Sequence, residues 1–289
     1  MNSIEISYIG SACGKNRYES RDKIILLLLC RQFKSFYKDL LFRQGAFKLL
    51  NPDKKTYDTQ LKTIYTEFKK DVKNPADFKG LEKEITKKLK SENPEIGDED
   101  MSHATKFLEN TLKKDCGINN EQSVISKMNY KKGNNRMYTY EENGWFIKGL
   151  HDASHGDTII EVKTRMRPQN VRKNEYDLYQ LFGYLLAMNK TKGKIVQKYN
   201  NVIYDSDVET RDEYGLIDIT EKTWEERFLT FKRELNGFFI DVKYYEECVN
   251  VFDTTKVIHP HEYPIALFDT NGISHNVNTT YEKIVKALT

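Results

Sequence analysis

Residues 145–163, with the sequence WFIKGLHDASHGDTIIEVK, decide how the rest of the chain is interpreted. The pattern indicates two adjacent strands joined by the turn-prone residues 154–157, with Asp152 at the end of the first strand. Side chains alternate across a strand, so Glu161 and Lys163 on the second strand share one face. Carboxylates a few ångströms apart repel each other unless a cation lies between them, and oxygen ligands favour hard ions. The stretch therefore predicts a Mg²⁺ or Mn²⁺ site on a β-sheet.

Length and composition indicate an ordinary globular protein. With 289 residues the chain is long enough to bury a substantial core in one large domain or two small ones. Its formal net charge of +3 neither requires nor excludes an anionic partner, so a nucleic-acid surface must come from local clusters of cations. The four cysteines lack a Cys-x-x-Cys spacing, which argues against zinc and a disulfide framework and favours a reducing compartment.

The longest apolar run covers residues 24–30. It is far shorter than the roughly 20 residues that a bilayer requires. No basic segment with a cleavage site precedes it. We therefore expect a soluble, intracellular protein.

A glycine-containing loop follows the first predicted strand. Residues 4–9 alternate like a short strand and lead into residues 10–16, GSACGKN. This loop lacks the spacing of a nucleotide-binding P-loop, because only three residues separate the glycines and no hydroxyl follows the lysine. Two interpretations stay open. The loop binds phosphate through backbone amides and through Ser11, Lys15 and Arg17, or it is a glycine-permitted turn before a helix.

Helices are predicted over the next part of the chain. Ser20 caps a long core helix over about 20–45. The segment 46–100 is rich in lysine, with helical patches near 57–71 and 79–90, and we interpret it as a helical insertion. Most of its charges are expected to form a solvated face.

A further helix is predicted over about 99–115, where acidic residues lie near its positive end. Glu109 lies at the edge of its apolar stripe. It is therefore either an ordinary boundary residue or a carboxylate of a site.

From residue 123 the pattern changes to short strands with turns between them. These predict an antiparallel meander over 123–129, 136–141, 145–152 and 158–163. A basic cluster follows, whose positive charge suits a polyanionic substrate: Lys163, Arg165, Arg167, Arg172 and Lys173.

The last part of the chain contains two predicted helices. Residues 175–189 are apolar on nearly every side, so this helix must be buried, and Gln180 within it is either a satisfied core amide or a group that reaches a site. Strands near 194–204 and 214–219 and a helix over 222–250, interrupted near 236–237, complete the prediction. His259-Pro260-His261 is interpreted as a loop rather than a metal site, because a proline separates the histidines and no acid is paired with them.

These motifs, taken in order, resemble the lambda exonuclease / YqaJ branch of the PD-(D/E)xK nuclease superfamily, the phage- and virus-type recombination nucleases. The resemblance covers residues 4–250, with 50–100 unmatched. It rests on the serine-bearing turn with Ser11, on Asp152 and Glu161-Val162-Lys163 as the catalytic core, and on the Gln180 helix. Glu109 takes the place of the family's helical glutamate, although Thr105 stands where the family's Gly-x-x-x-Glu motif has its glycine.

The resemblance implies an α/β (α+β) fold with a restriction-endonuclease-like core, in which helices flank a central mixed β-sheet and a helical region comes first. It implies a single nuclease domain over 1–289, with the catalytic core and the following long helix in 101–250. One or two Mg²⁺ or Mn²⁺ ions would be held by Glu109, Asp152, Glu161 and the Val162 carbonyl. Lys163 would orient or help to deprotonate the attacking water, Gln180 would position Lys163 or the water, and phosphates would contact Arg165, Arg167 and Lys173.

The expected function is that of a Mg²⁺-dependent DNA nuclease, a 5′-3′ exonuclease in viral or phage DNA recombination or repair. Its expected partners are duplex DNA with an end, a single-strand annealing protein and, in a homo-oligomer, further copies of the chain. The expected compartment is the host cytoplasm or nucleus. Two other functions stay open. One is a structure-selective or nicking endonuclease, or an RNase, on the same core, and the other is a catalytically inactive nucleic-acid-binding protein.

Overall fold

Two β-sheets hold the strands of the computed structural model, which describes residues 3–43, 58–95, 97–133, 138–142, 144–167 and 172–250. In the first sheet, β4 (Trp145–Gly149) is parallel to β1 (Ser3–Glu5) and antiparallel to β3 (Tyr138–Glu142). The second sheet contains β2 (Lys131–Lys132), β5 (Ala153–His155), β6 (Thr158–Thr164), β7 (Lys192–Tyr199), β8 (Val202–Tyr204) and β9 (Ile217–Asp218). Its order is β2-β5-β6-β7-β8, and β9 also pairs with β7.

Helices flank both sheets. They are α1 (Ile9–Ala12), α2 (Arg21–Gln32), α3 (Lys34–Arg43), α4 (Asp58–Asp71), α5 (Leu81–Glu92), α6 (Asp98–Lys127), α7 (Glu175–Met188) and α8 (Lys222–Asn250), with short 3₁₀ turns at Ile6–Tyr8 and Pro75–Phe78. The strands β6 and β7 are parallel, and α7 forms the crossover between them. The mixed sheets and flanking helices confirm the α+β class.

Three apolar clusters among the described residues hold these layers together. The largest joins α2, α7 and α8 to the first sheet, and it buries every residue of the apolar run 24–30. A second cluster lies among α4, α5 and the N-terminal half of α6, so the lysine-rich region has a core of its own. The third lies between the C-terminal half of α6 and the inner face of β6 and β7. This last contact fixes one end of α6 against the sheet that carries the site.

The strand predicted over 123–129 is wrong, because α6 continues to Lys127. Val124 and Ile125 are buried against the sheet, and two adjacent apolar residues fit one turn of a helix as well as a strand. Gly117 lies inside the helix, where glycine costs about 1 kcal/mol relative to alanine. Packing at the end of α6 outweighs that local cost.

The predicted pairing of 145–152 with 158–163 is also wrong. The strand β4 belongs to the first sheet, and β6 pairs instead with β5, which begins directly after Asp152. The segment 150–152 therefore crosses from one sheet to the other. Tight turns most often join the paired strands of a hairpin, and here that turn lies at residues 156–157, between β5 and β6.

Other boundaries differ in smaller ways. Residues 6–9 are helical rather than strand and residues 10–12 are helical rather than loop. The helix predicted over 20–45 breaks at Phe33. The last helix is continuous through 236–237. The helices predicted near 57–71, 79–90 and 175–189 are confirmed. His259-Pro260-His261 lies outside the described residues.

Within the described ranges, none of the helices combines the length and the apolar character needed to cross a bilayer.

Candidate active site

The structure brings Asp152, Glu161 and Lys163 together at one face of β6. Lys163 Nζ lies 2.6 Å from Glu161 Oε1. Asp152 Oδ2 accepts a hydrogen bond of 2.8 Å from the Val162 backbone N–H. The two β6 residues share a face because side chains alternate along a strand, and Asp152 approaches that strand because it ends the crossing segment between the sheets.

The helix α7 covers this face of β6. Gln180 on α7 accepts a hydrogen bond of 2.8 Å from Lys163 Nζ through its Oε1. The sequence leaves two interpretations of Gln180 open, a core amide with its own partners or a side chain that reaches the site. The structure supports the second, because the amide oxygen contacts Lys163. The opposite face of β6, with Ile160 and Val162, packs against α6. The site is thus enclosed between the strand and α7.

Glu109 is not part of this cluster, contrary to the sequence prediction. It forms an ion pair of 2.7 Å with Lys113, one turn along α6. Twelve residues separate it from Glu121, which corresponds to about 18 Å along the helix axis. The helical glutamate near the site is Glu121, because its charge raises the pKa of Asp152 and because burial, followed by the charge of Glu161, raises its own pKa.

A sequence signal for Glu121 was present. Residues 117–121, GINNE, have the Gly-x-x-x-Glu spacing that is missing before Glu109. The predicted helix ends near residue 115, so it does not include Glu121, whereas α6 continues to Lys127. Only the packing of the end of α6 on the sheet shows that the helix continues past Glu121.

Asp177 is a second residue that the sequence reasoning missed. It is 1% exposed, lies in the first turn of α7, and one of its oxygens is 3.8 Å from Lys163 Nζ. Its other oxygen accepts a hydrogen bond from Arg165. Its sequence signal is the spacing Asp177-x-x-Gln180, which places both side chains on one face of the helix.

Arg165 was predicted to contact DNA, and the structure contradicts this. The side chain is buried, and its guanidinium donates hydrogen bonds to Asp177, to Gln197 at 2.7 Å and to the Tyr176 hydroxyl at 3.3 Å. The run of cations in the sequence predicts an exposed basic surface. Strand alternation continues past the end of β6, however, and places Arg165 on the same enclosed side as Lys163.

The remaining predicted phosphate contacts are scattered. Arg167 is exposed, and Lys173 pairs with Glu209 at 2.5 Å. Ser11 is buried on α1 and donates a hydrogen bond of 2.9 Å to Glu19. Lys15 pairs with Glu234 at 2.8 Å, and Arg17 contacts its neighbour Tyr18. The loop side chains therefore make internal contacts.

Gly10 is explained by packing rather than by phosphate. A side chain there would collide with the Tyr176 backbone, so glycine allows α1 to approach α7 closely. Gly14, with φ of +71°, makes the turn after α1. Both glycines of the loop thus have structural roles.

Exposed lysines lie at the edge of the site on β2. Lys131 and Lys132 are opposite Ser154 and Ala153 of β5. Burial raises the pKa of Glu121 overall, and the positive charge of Lys132 partly opposes this effect. The next residue, Gly133, donates a backbone hydrogen bond of 2.8 Å to the Asp152 carbonyl. A side chain at Gly133 would collide with the His151 carbonyl oxygen. Glycine therefore allows this basic edge to lie directly beside Asp152.

Burial dominates the electrostatics of the site. It raises the pKa of Asp152 to about 6 and that of Glu161 to about 8, with further contributions from neighbouring carboxylates. Burial disfavours the Lys163 ammonium, but the carboxylates around it outweigh this effect and raise its pKa overall. Four carboxyl groups face two cations and would leave a net charge of −2 if all were ionised: Glu121, Asp152, Glu161 and Asp177 with Lys163 and Arg165.

The donor atoms are oxygens of the kind that hard divalent cations take. In the described part of the chain, no group of three or more His, Cys, Asp or Glu side chains is arranged to hold a metal ion as it stands. One oxygen of Glu161 forms an ion pair with Lys163, and one oxygen of Asp152 accepts the hydrogen bond from the Val162 N–H. The second Glu161 oxygen is buried and accepts no hydrogen bond from any described residue. The Val162 carbonyl lies along the same strand edge as its N–H, which faces Asp152.

No family model and no curated protein matches the chain. Among solved structures, the crystal structure of SSO0001 has 18% identity to this chain, covers 71% of it and 98% of its own length, and superposes with a TM-score of 0.33. A score this low does not establish a shared fold.

Proposed function

We propose that this chain is a metal-dependent nuclease of the lambda exonuclease / YqaJ type, which hydrolyses phosphodiester bonds in DNA on a restriction-endonuclease-like core. One observation carries the proposal. The Lys163 ammonium is held between Glu161 and Gln180, with Asp152 and Glu121 in electrostatic range. Carboxyl groups with raised pKa values around a fixed ammonium are typical of catalytic sites. The proposed setting is viral or phage DNA recombination or repair.

Asp152, Glu161 and the Val162 carbonyl would hold a Mg²⁺ or Mn²⁺ ion, with Glu121 contributing to the same ion or to a second. A bound divalent cation of this kind lowers the pKa of water and neutralises charge that develops on a phosphoryl group. The net charge of the cluster supports this role, because one divalent cation would balance it.

Lys163 supplies the positive group that faces the reacting phosphate. Its raised pKa keeps it protonated at neutral pH, so it donates hydrogen bonds to the attacking water or to a phosphoryl oxygen rather than removing a proton. Gln180 fixes the direction of the ammonium through the 2.8 Å hydrogen bond. The burial of Glu161 keeps bulk water away from the same position.

Glu121 and Glu109 lie on the same helix, and substitutions at the two positions can be compared directly. We expect Glu121→Gln to lower kcat by about 10- to 100-fold, because it removes a charge that acts on Asp152. Glu109→Gln should keep wild-type kcat, because that carboxylate pairs with Lys113 far along α6. Steady-state cleavage of a labelled linear duplex with Mg²⁺ measures both. Loss of activity in Glu109→Gln with normal activity in Glu121→Gln would reverse the assignment.

The basic edge on β2 is proposed to contact the DNA backbone, together with Arg167. We expect Lys132→Ala to raise KM several-fold with little change in kcat, and to reduce the slope of log Kd against log salt by about 1. Fluorescence anisotropy with a labelled duplex at several salt concentrations measures this slope. Lys90→Ala, an exposed lysine of α5, is the matched control and should leave both values unchanged. An unchanged slope in Lys132→Ala would remove this residue from the DNA interface.

A second candidate function, an endonuclease that needs no DNA end, is favoured by one observation. Two of the loop residues predicted to bind phosphate, which an exonuclease of this type would use at a DNA end, are paired with acidic side chains of the protein itself, Ser11 with Glu19 and Lys15 with Glu234. An exonuclease requires an end, whereas an endonuclease also cuts closed circles.

One digestion experiment tests both functions. The substrates are 5′-phosphorylated linear duplex, 5′-hydroxyl linear duplex, covalently closed circular DNA and single-stranded RNA, each with Mg²⁺ and with EDTA. Mg²⁺-dependent loss of linear DNA alone supports the exonuclease, and cutting of the circles supports the endonuclease. If no substrate is cleaved, both nuclease functions are wrong and the inactive nucleic-acid-binding protein remains.

A further inference from the structure

Asp177 lies between two cations, the buried Arg165 and the largely enclosed Lys163, and its two oxygens are used differently. One oxygen accepts from Arg165, and the other is buried without a hydrogen bond from any described residue. That second oxygen is 3.8 Å from Lys163 Nζ, which is too far for a hydrogen bond. A buried carboxylate oxygen without a donor costs free energy, and such groups in folded proteins call for an explanation.

Arg165 does not explain the second oxygen. The guanidinium is already fixed by Gln197 and Tyr176 in addition to one oxygen of Asp177. Pairing with Arg165 does not require the second Asp177 oxygen to face Lys163. The position of Asp177 one turn before Gln180 instead directs two acceptors of α7 at the same ammonium.

The ammonium of Lys163 presents a problem for any cation at Glu161. It lies 2.6 Å from Glu161 Oε1, so a divalent cation held by that carboxylate would be close to a like charge. Repulsion between charges at such distances amounts to several kcal/mol even at an effective dielectric constant of about 20. Movement of Lys163 away from Glu161 relieves this repulsion and lets the ammonium keep its proton when the cation binds.

We propose that Asp177 is a positioning residue that gives the Lys163 ammonium a second acceptor when a divalent cation occupies Glu161. A movement of about 1 Å brings Nζ into hydrogen-bond distance of the free Asp177 oxygen. The hydrogen bond to Gln180 persists and acts as the pivot. Lys163 then stays charged and stays in the site, which allows an ammonium and a metal ion to coexist there. The cation-dependent part of this proposal rests on the proposed function.

The first test measures Mn²⁺ affinity by isothermal titration calorimetry, together with the melting temperature. Asp177→Asn keeps the shape of the side chain, and when its oxygen faces Arg165 its NH₂ group faces Lys163, so the second acceptor is lost. Because a hydrogen bond to a charged group contributes about 1.5–3 kcal/mol, we expect Mn²⁺ binding to weaken by about tenfold or more. Wild-type Mn²⁺ affinity in Asp177→Asn would overturn the proposal.

The double variant Arg165→Met/Asp177→Asn distinguishes two roles of Asp177, the positioning of Lys163 and the structural support of Arg165. Replacing buried ionic groups by an apolar residue of similar volume is often tolerated, so the melting temperature should recover relative to Asp177→Asn. The Mn²⁺ affinity should stay low, because Lys163 still lacks its second acceptor. Recovery of affinity together with stability would show that Asp177 only supports Arg165, and would overturn the proposal.

A second test needs neither metal nor activity. Glu161→Met removes the present acceptor of Lys163, and in a metal-free crystal structure we expect Nζ to lie about 2.8–3.0 Å from the free Asp177 oxygen. Glu161→Leu, which also lacks an acceptor, serves the same purpose if the methionine variant does not fold. A distance that stays at 3.8 Å would overturn the proposal. If the wild-type protein binds no Mn²⁺, the proposed metal site is wrong, and this structure alone decides whether Asp177 accepts Lys163.

Discussion

Lys163→Ala is expected to lower kcat for cleavage by about 10²- to 10³-fold while it still binds duplex DNA. The physical reason is that the ammonium is the positive group fixed inside the site by Glu161 and Gln180, and removal of a single preorganised donor to developing charge costs about 10²- to 10³-fold in kcat. DNA binding should persist because Lys163 is largely enclosed, whereas the lysines of β2 are exposed. Single-turnover cleavage and fluorescence anisotropy measure the two properties separately.

Lys190→Ala is the matched control for this loss. Lys190 pairs at 2.9 Å with Asp157, whose side chain is 86% exposed, and surface pairs of this kind contribute little. Activity and binding of Lys190→Ala should therefore equal those of the wild-type protein. Circular dichroism establishes that both variants are folded. Normal turnover in folded Lys163→Ala would exclude the assigned role of Lys163.

Glu161→Gln is expected to abolish cleavage and, in metal-free protein, to remove a pH dependence of stability. The pKa of Glu161 is about 8 in the folded protein against 4.5 for an ordinary glutamate, because the carboxyl group is fully buried. A raised pKa means that the stabilising contribution is present below pH 4.5 and is lost as the pH rises through 8. Between these values the free energy of unfolding falls by about 1.4 kcal/mol per pH unit through this one group.

Urea unfolding in EDTA at pH 6, 7 and 8 measures this slope. Glu109→Gln is the control, since its carboxylate lies outside the cluster, and it should keep the wild-type slope. The difference between Glu161→Gln and wild type should therefore grow with pH, in favour of the variant. Parallel profiles for these two proteins would contradict the raised pKa, and added Mn²⁺ should stabilise wild type more than Glu161→Gln.

The parts of the site that the sequence predicts are those fixed by local periodicity. Alternation along one strand was enough to place Glu161 and Lys163 on the same face, and the uniformly apolar pattern of residues 175–189 was enough to predict a buried helix with Gln180 inside it. The coarse fold class was implied by the family resemblance, which rests on these local motifs. Each of these features depends on residues that are close in sequence.

The parts that the sequence did not predict depend on packing between distant segments. Glu121 was missed because only contacts between α6 and the sheet show that the helix passes through Gly117. Arg165 was assigned to a surface because a cluster of cations gives no sign that one member has a buried partner such as Asp177. The pairing of β6 with β5 rather than β4 was missed for the same reason, since strand alternation does not specify which sheet a strand joins.

The single long helix α6 has a mechanical consequence. Its 30 residues span about 45 Å, and its C-terminal end is fixed on the sheet while its N-terminal half packs with α4 and α5. A rod anchored at Lys127 and tilted by about 2° would displace its free end by about 1.5 Å but Glu121, six residues from the anchor, by only about 0.3 Å. A small tilt of α6 would therefore move α4 and α5 far more than Glu121, so the geometry of the candidate site is insulated from changes in the packing of the lysine-rich helices.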